Sequence, residues 1–169
     1  MATRRIIVLG CSGSGKSTLA PVLAARLALP YLATDAVYWT HDWRPTPPAE
    51  VRAWVDAATS AEAWVLDGNF EAERDLVWAR ADLAVWLDLP FATTLWRVTR
   101  RNLGWWIGRQ PVWGDNRMTL AKALTGIRHA LRSYALKRRT YPARLAAFPH
   151  LQVVRIASPR ALTLWLADL

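Results

Sequence analysis

Short apolar runs alternate with longer stretches whose apolar residues recur every three or four positions. Arg5-Ile6-Ile7-Val8-Leu9 is β-branched and apolar, and it stops at Gly10. That pattern predicts a strand buried on both faces of a parallel sheet. Ser17 to Leu29 carries Leu19, Val22, Leu23 and Leu27 at helical spacing, with Pro21 near its start and Pro30 after its end. Tyr31 to Thr34 predicts a second strand ending at Asp35. After a loop marked by Pro45, Pro47 and Pro48, a helix is predicted from Ala49 to Thr59. Trp64-Val65-Leu66, ending at Asp67-Gly68, and Leu83 to Leu87, ending at Asp88-Leu89-Pro90, predict strands three and four.

Phe91 to Leu103 then reads as a helix. Gly104 to Gly114, with three Gly, one Pro and three Trp, reads as an irregular flap. Thr119 to Ala147 predicts a long basic helix with Gly126 and Pro142 as candidate breaks. Leu151 to Ile156 predicts the fifth strand, and Pro159 to Leu169 the last helix. Strands alternating with helices imply an α/β fold with a parallel sheet between two helical layers. A length of 169 residues, without a repeat or a separating linker, predicts one domain over 1–169.

Composition narrows the class. At 53% hydrophobic residues the chain can build a core. Its one cysteine, Cys11, excludes an internal disulfide, and His41, His129 and His150 are too scattered for a metal site. The apolar run Ile6 to Leu9 is shorter than a signal-peptide core, and no run approaches the ~20 residues of a membrane span, so a soluble, cytoplasmic protein is expected. The net charge of +9 is localised: positions 97–144 hold 12 of the 22 Lys/Arg and one of the 13 acids. Such a field draws anions. Nucleotide phosphates, nucleic acid and an acidic membrane surface all fit.

The sharpest motif is Gly10-Cys11-Ser12-Gly13-Ser14-Gly15-Lys16-Ser17, which matches G-x-x-x-x-G-K-[ST] between a predicted strand and a predicted helix. Glycines let the backbone wrap an anion with its N–H groups turned inward, and the helix start adds its positive dipole end. The expected binding set for ATP or GTP is Gly10, Ser12, Gly13, Ser14, Gly15, Lys16, Ser17 and Thr18. Lys16 is expected on the β- and γ-phosphates and the Ser17 hydroxyl on Mg²⁺.

Ligands of open parallel sheets bind at the carboxyl ends of strands, where Asp35, Asp67 and Asp88 fall. Asp35 is the candidate for contacting the acceptor or taking its proton. Asp67 is the candidate for the Mg²⁺ shell, and Asp88, before Leu89-Pro90, fits a cap. Tyr38, Trp39 and Arg44, with Trp43, fit a wall and an anion clamp for an acceptor, or a cover over the sheet edge.

Arg97, Arg100 and Arg101 share a helix face. With Arg109 in the flap and Lys137, Arg138 and Arg139 beyond it, they suit a lid over roughly 104–118, hinged at Gly104, Gly108 and Gly114. Arginines on a closing lid stabilise transferring phosphate and exclude water. Arg100, Arg101, Arg109 and Arg138 are the candidates for that role. The same residues, with Trp105, Trp106 and Trp113, also suit nucleic acid, with basic groups on phosphates and indoles on bases.

The phosphate motif, then Leu32-Ala33-Thr34-Asp35 with Tyr38-Trp39, then Trp64-Val65-Leu66-Asp67-Gly68-Asn69-Phe70, then Ala81-Asp82-Leu83-Ala84-Val85-Trp86-Leu87-Asp88-Leu89-Pro90, run in order along nearly the whole chain. Together they resemble the adenylate-kinase-related P-loop proteins often labelled DNA topology modulation proteins. The resemblance implies a nucleoside-monophosphate-kinase-like, three-layer α/β/α fold. Its five-stranded parallel sheet would have the order 2-3-1-4-5, with a lid after the fourth strand's helix. It also implies ATP and Mg²⁺ as cofactors and a small-molecule phosphate acceptor near Asp67, Gly68 and Asn69.

Leu66-Asp67-Gly68 matches the start of the adenylate kinase Leu-Asp-Gly-Phe-Pro-Arg motif, but the chain continues Asn69-Phe70-Glu71. An acid replaces the arginine that would hold AMP, with Arg74 or Arg44 as substitutes. That leaves a different nucleotide, or a small hydroxylated metabolite as in shikimate- and gluconate-kinase-like relatives. Ile156 to Arg160, with Ser158 and Pro159, resembles the loop that lies against adenine.

Overall fold

A computed structural model describes residues 3–109, 111–112 and 116–169, with the side chains of 35 and 36 left aside. Five strands form one parallel sheet: β1 (Arg5–Gly10), β2 (Tyr31–Leu32), β3 (Trp64–Asp67), β4 (Leu83–Leu87) and β7 (Gln152–Ile156), in the order β2-β3-β1-β4-β7. This is the anticipated 2-3-1-4-5 order. The last strand is the seventh along the chain because β5 (Pro111–Val112) and β6 (Asn116–Arg117) form a separate antiparallel pair.

Alternation along the central strands divides the core. Ile7 and Leu9 of β1, Trp64 and Leu66 of β3, and Ala84 and Trp86 of β4 face one helical layer. That layer is α3 (Pro48–Thr59), α4 (Arg74–Arg80) and α6 (Leu120–Ala146), with Val51, Val55, Val77, Trp78, Tyr141 and Leu145 buried against the sheet. Ile6, Val8, Val65, Leu83, Val85, Leu87 and Ile156 face the other layer, α1 (Lys16–Leu27) and α7 (Pro159–Ala167). Both faces of β1 are buried from Ile6 to Leu9, so that run shows no polar positions.

Three elements depart from the sequence pattern. The helix after β4, α5, runs from Phe91 to Gly108, so Gly104, Trp105 and Trp106 are helical and not part of an irregular flap. Trp105 packs on a small cluster of Val112, Met118 and Ala123, which outweighs the ~1 kcal/mol cost of Gly104 in a helix. Arg109 ends α5 at φ 50°. Trp113, Gly114 and Asp115 lie outside the described residues. The long basic helix α6 passes through Gly126 and Pro142 without a break. Gly126 marks a close approach: a Cβ there would lie 2.5 Å from Nδ2 of buried Asn102 on α5. That amide donates to the carbonyl of Ala123 at 3.3 Å. β2 is shorter than expected, because the chain turns at Thr34 into the short helix α2 (Asp35–Tyr38). Among the described residues no helix is long and apolar enough to cross a membrane.

Gly126→Val fills the space held by Asn102. It should destabilise the protein by about 1–3 kcal/mol through overpacking and loss of the Asn102 bond, read as a lower midpoint in urea unfolding at unchanged slope.

Candidate active site around the phosphate loop

Three glycines at positive φ shape the turn between β1 and α1: Gly10 at 152°, Gly13 at 79° and Gly15 at 100°. Two of them are also sterically required. A Cβ on Gly10 would lie 2.5 Å from Ser14 Oγ and 2.9 Å from the Leu87 carbonyl, and one on Gly13 would lie 2.4 Å from the Thr94 carbonyl. The loop is thereby seated directly on the first turns of α5.

Side chains fasten it further. Asn69 Oδ1 accepts from the Gly10 amide at 3.1 Å. Arg101 Nη2 donates to Ser12 Oγ at 3.0 Å, and Arg97 Nη1 to the Ser14 carbonyl at 3.4 Å. Lys16 Nζ donates to the Cys11 carbonyl at 3.1 Å, which holds the ammonium over the loop. Burial pushes the Cys11 thiol up despite the nearby Lys16 charge. Ser17 and Thr18 stand exposed in the first turn of α1.

The loop opens on a cavity of about 470 Å³ lined by Gly13 to Leu19, Val22, Arg97, Arg101, Leu162 and Leu166. Beside it, a second cavity of about 400 Å³ is lined by Ser12, Trp39, Trp43, Arg101, Asn102, Met118, Lys122, Thr125, Gly126 and His129. Trp39 meets Trp43 edge-on at 5.8 Å, and the Lys122 ammonium lies 5.4 Å from the Trp43 ring centre. Arg101 belongs to both cavities and stacks on Trp105 at 4.8 Å.

The other sequence-derived candidates divide. Asp67 is buried at the end of β3, and its Oδ1 accepts from the Thr34 amide and hydroxyl, each at 3.4 Å. Gly68 sits at φ 149°, where a Cβ would lie 2.7 Å from the Phe70 ring. Asn69 braces the loop through Gly10. Tyr38 packs on Phe70 at 5.6 Å, and burial, with the charge of Glu73, pushes its hydroxyl up. Arg44 is exposed. Asp35 opens α2, and its side chain lies outside the described residues.

Arg100 is exposed and lines an outer groove with Trp96, Gly104 and Gly108, while Arg109 is exposed at the end of α5. Arg138 pairs with Asp88 at 3.5 Å and donates to the Tyr134 hydroxyl at 3.1 Å. Arg155 Nε donates to the same Asp88 carboxylate at 2.9 Å. Ser158 accepts from the Ala161 amide at 3.1 Å as the N-cap of α7, with Pro159 as that helix's first residue. The neighbours of the loop cavity on α7 are Leu162 and Leu166, one and two turns on.

Several residues enter the site without having stood out in the sequence. Arg97 was grouped with its neighbours, and only the seating of α5 on the loop separates it from Arg100. Glu71, the departure after Gly68-Asn69-Phe70, gathers Arg144, Tyr141 and Lys137 from α6. Lys122 and His129 carried no motif at all.

The residues fit a nucleotide with Mg²⁺. The glycine cradle leaves no room for a Cβ at Gly10 or Gly13. The buried Ser14 Oγ has no partner among the described residues. A hydroxyl at Ser17 and a carboxylate at Asp67 supply the hard oxygen donors that Mg²⁺ prefers. Among the described residues no cluster of three or more His, Cys, Asp or Glu forms a self-sufficient metal site.

Gly13→Ala should destabilise the fold by roughly 2–4 kcal/mol, combining positive-φ strain with the clash on the Thr94 carbonyl. It should also weaken Mg-ATP binding at least ~10-fold, which titration calorimetry on the folded fraction would read.

No family model matches the chain. A Bacillus subtilis protein described as uncharacterized protein YqaC is 32% identical over 100 residues, spanning 58% of this chain and 56% of that protein. Among solved structures, a gluconokinase from Sinorhizobium meliloti 1021 superposes with TM-score 0.52 at 18% identity, covering 93% of this chain and 85% of the other. A shikimate kinase from Aquifex aeolicus vf5 gives TM-score 0.47 at 17% identity over 78% of this chain and 80% of the other. The parallel sheet order, the glycine turn after β1 and the gluconokinase superposition together give the chain an α/β P-loop fold like that of this gluconokinase.

Proposed function

We propose that the chain is an ATP-dependent phosphotransferase that moves the γ-phosphate of Mg-ATP to a small acceptor. The observation that carries this reading is Arg101, which bonds Ser12 of the loop and lines both cavities. A guanidinium at that junction meets a phosphate leaving one ligand for the other. The fold likeness to a gluconokinase supports the same class of reaction.

In this reading the amides of Gly13 to Thr18 and Lys16 hold the triphosphate, and Ser17 and Asp67 hold Mg²⁺. Mg²⁺ held there would supply positive charge that offsets the charge on the transferring phosphate. Arg101 and Arg97 stabilise charge on the equatorial oxygens of the transferring group. The acceptor lies in the cavity walled by Trp39 and Trp43. An acceptor oxygen forms the new P–O bond as the bond between the γ-phosphorus and its bridging oxygen breaks. The electron pair leaves with ADP, and the acceptor's proton passes to a carboxylate, for which Asp35 is the candidate.

Because α5 runs to Gly108, the lid expected over 104–118 is narrowed to the β5–β6 pair beyond that helix, within a single kinase domain over 1–169 that works in the cytoplasm where ATP is made. Nucleic-acid binding by the 97–144 segment has less support. Arg97, Arg101, Lys137, Arg138 and Arg144 turn toward the loop or toward Glu71 and Asp88.

The test is ADP release from ATP against a panel of nucleoside monophosphates, sugar acids and cyclohexane acids. One acceptor class should give turnover. Arg101→Ala should lower its kcat by about 10²–10³-fold with the KM for ATP within a few-fold, and Lys16→Ala should abolish it. Folded protein that binds Mg-ATP yet turns over none of these acceptors would sink the phosphotransferase reading.

A further inference from the structure

The cavity walled by Trp39 and Trp43 gathers cations from two helices. Arg101 of α5 and Lys122 of α6 both line it. Lys122, Thr125 and His129 follow at spacings of three and four, so one face of α6 forms a wall of the cavity. Among the described residues no carboxylate lines it, and none forms an ion pair with Lys122. The Lys122 ammonium instead lies 5.4 Å from the centre of the Trp43 ring.

The two cations are not equivalent. Arg101 bonds Ser12 and also lines the loop cavity, whereas Lys122 is absent from the lining of the loop cavity. The Lys122 charge therefore serves the occupant of the indole cavity rather than the nucleotide.

The Trp43 wall is fixed in place. Asp42 and Trp43 stand at φ 58° and 57°, a left-handed backbone that side chains rarely adopt. Buried Asn116 of β6 holds the turn. Its Oδ1 accepts from the Trp43 amide at 2.7 Å, and its Nδ2 donates to the Thr40 carbonyl at 3.1 Å. The Trp43 indole N–H donates to the Arg117 carbonyl at 3.0 Å. Strain held by such a set of bonds is characteristic of binding positions. Through Trp43, Lys122 marks the β6 end of the cavity. Through Ser12, Arg101 marks the loop end.

We propose that this cavity takes a small organic anion that is phosphorylated on a hydroxyl, with its carboxylate or phosphate ester held by Lys122 and its body lying on the indoles of Trp39 and Trp43. This rests on the phosphotransferase reading given above and names the class of acceptor. The hydroxyl lies at the Arg101 end. Its oxygen forms the new P–O bond, the bond to the bridging oxygen of ATP breaks with its electron pair going to ADP, and the hydroxyl proton is released. A nucleoside monophosphate suits the cavity less well. Its phosphate is itself the acceptor and must meet Arg101 beside the loop, which leaves Lys122 facing an uncharged base. A neutral polyol leaves Lys122 unanswered altogether.

The experiment measures ADP release by the intact protein with Mg-ATP and four kinds of acceptor: hydroxylated carboxylic acids, sugar phosphates, nucleoside monophosphates, and neutral polyols matched to the acids. The acids or the sugar phosphates should turn over, and whichever responds tells a carboxylate from a phosphate ester. Their neutral counterparts should have a kcat/KM at least ~10-fold lower, for want of a charge-assisted contact. Lys122→Met, which keeps the length of the side chain, should raise the acceptor KM about 10–100-fold, with kcat and the KM for ATP within a few-fold. Lys122→Arg, which restores the charge, should recover most of that loss. Lys122 is exposed, so both variants should melt with the wild type.

Neutral polyols that turn over as well as the acids, a nucleoside monophosphate as the preferred acceptor, or an unchanged acceptor KM in Lys122→Met would each overturn the proposal and leave the phosphotransferase reading standing. Wild type that binds Mg-ATP yet phosphorylates none of the four kinds would overturn both.

Discussion

The contact on which the site depends is the seating of the phosphate loop against α5. Gly13 touches the Thr94 carbonyl and Val98 so closely that no side chain fits between them. That approach brings Arg97 and Arg101, one turn and nearly two turns further along, to the Ser14 carbonyl and the Ser12 hydroxyl. α5 is in turn held by α6, where Gly126 makes room for Asn102. Main-chain packing at two glycines thus delivers the cationic side chains to the loop. The precision comes from rigid helices, which hold a reacting geometry better than a free loop would.

Charge in the 97–144 segment follows the same logic. A row of basic residues on a helix surface would be screened and nearly interchangeable. Here the partner each one meets distinguishes them. Arg138 shares buried Asp88 with Arg155, which lies beyond the segment, and Arg144 pairs with Glu71. Lys137 lies 3.7 Å from that same Glu71 carboxylate. Arg97 and Arg101 bond the loop while still lining its cavity. Neighbouring residues of like charge therefore carry different roles. The distinction lies in which carboxylate, if any, each one meets across the fold.

Glu71 shows how a departure from a familiar motif is reworked by distant chain. Where an arginine would follow Leu66-Asp67-Gly68, the acid draws two cations and a tyrosine from α6, more than sixty residues away. The cationic character of that corner is restored from the other side. No local pattern in the sequence announces it, because the partners are brought together by tertiary packing such as that of Tyr141 on Trp78 and Trp86.

By itself the sequence determined the five strands of the main sheet, though not the β5–β6 pair, together with the parallel α/β class and the phosphate loop. These depend on short-range facts: unbroken apolar runs such as Ile6 to Leu9, and glycines at fixed offsets from Lys16. The sheet order came with the resemblance and matches β2-β3-β1-β4-β7. Tertiary structure alone decided that α5 runs through Gly104 and that α6 runs through Gly126, because packing partners outweigh a residue's intrinsic propensity. It also decided which cations serve the loop. Arg97, Arg100 and Arg101 are alike on a helical projection, and Lys137 is one of three consecutive basic residues. What separates them is the identity of the group each meets across the interface, and that is set by residues far away in the chain.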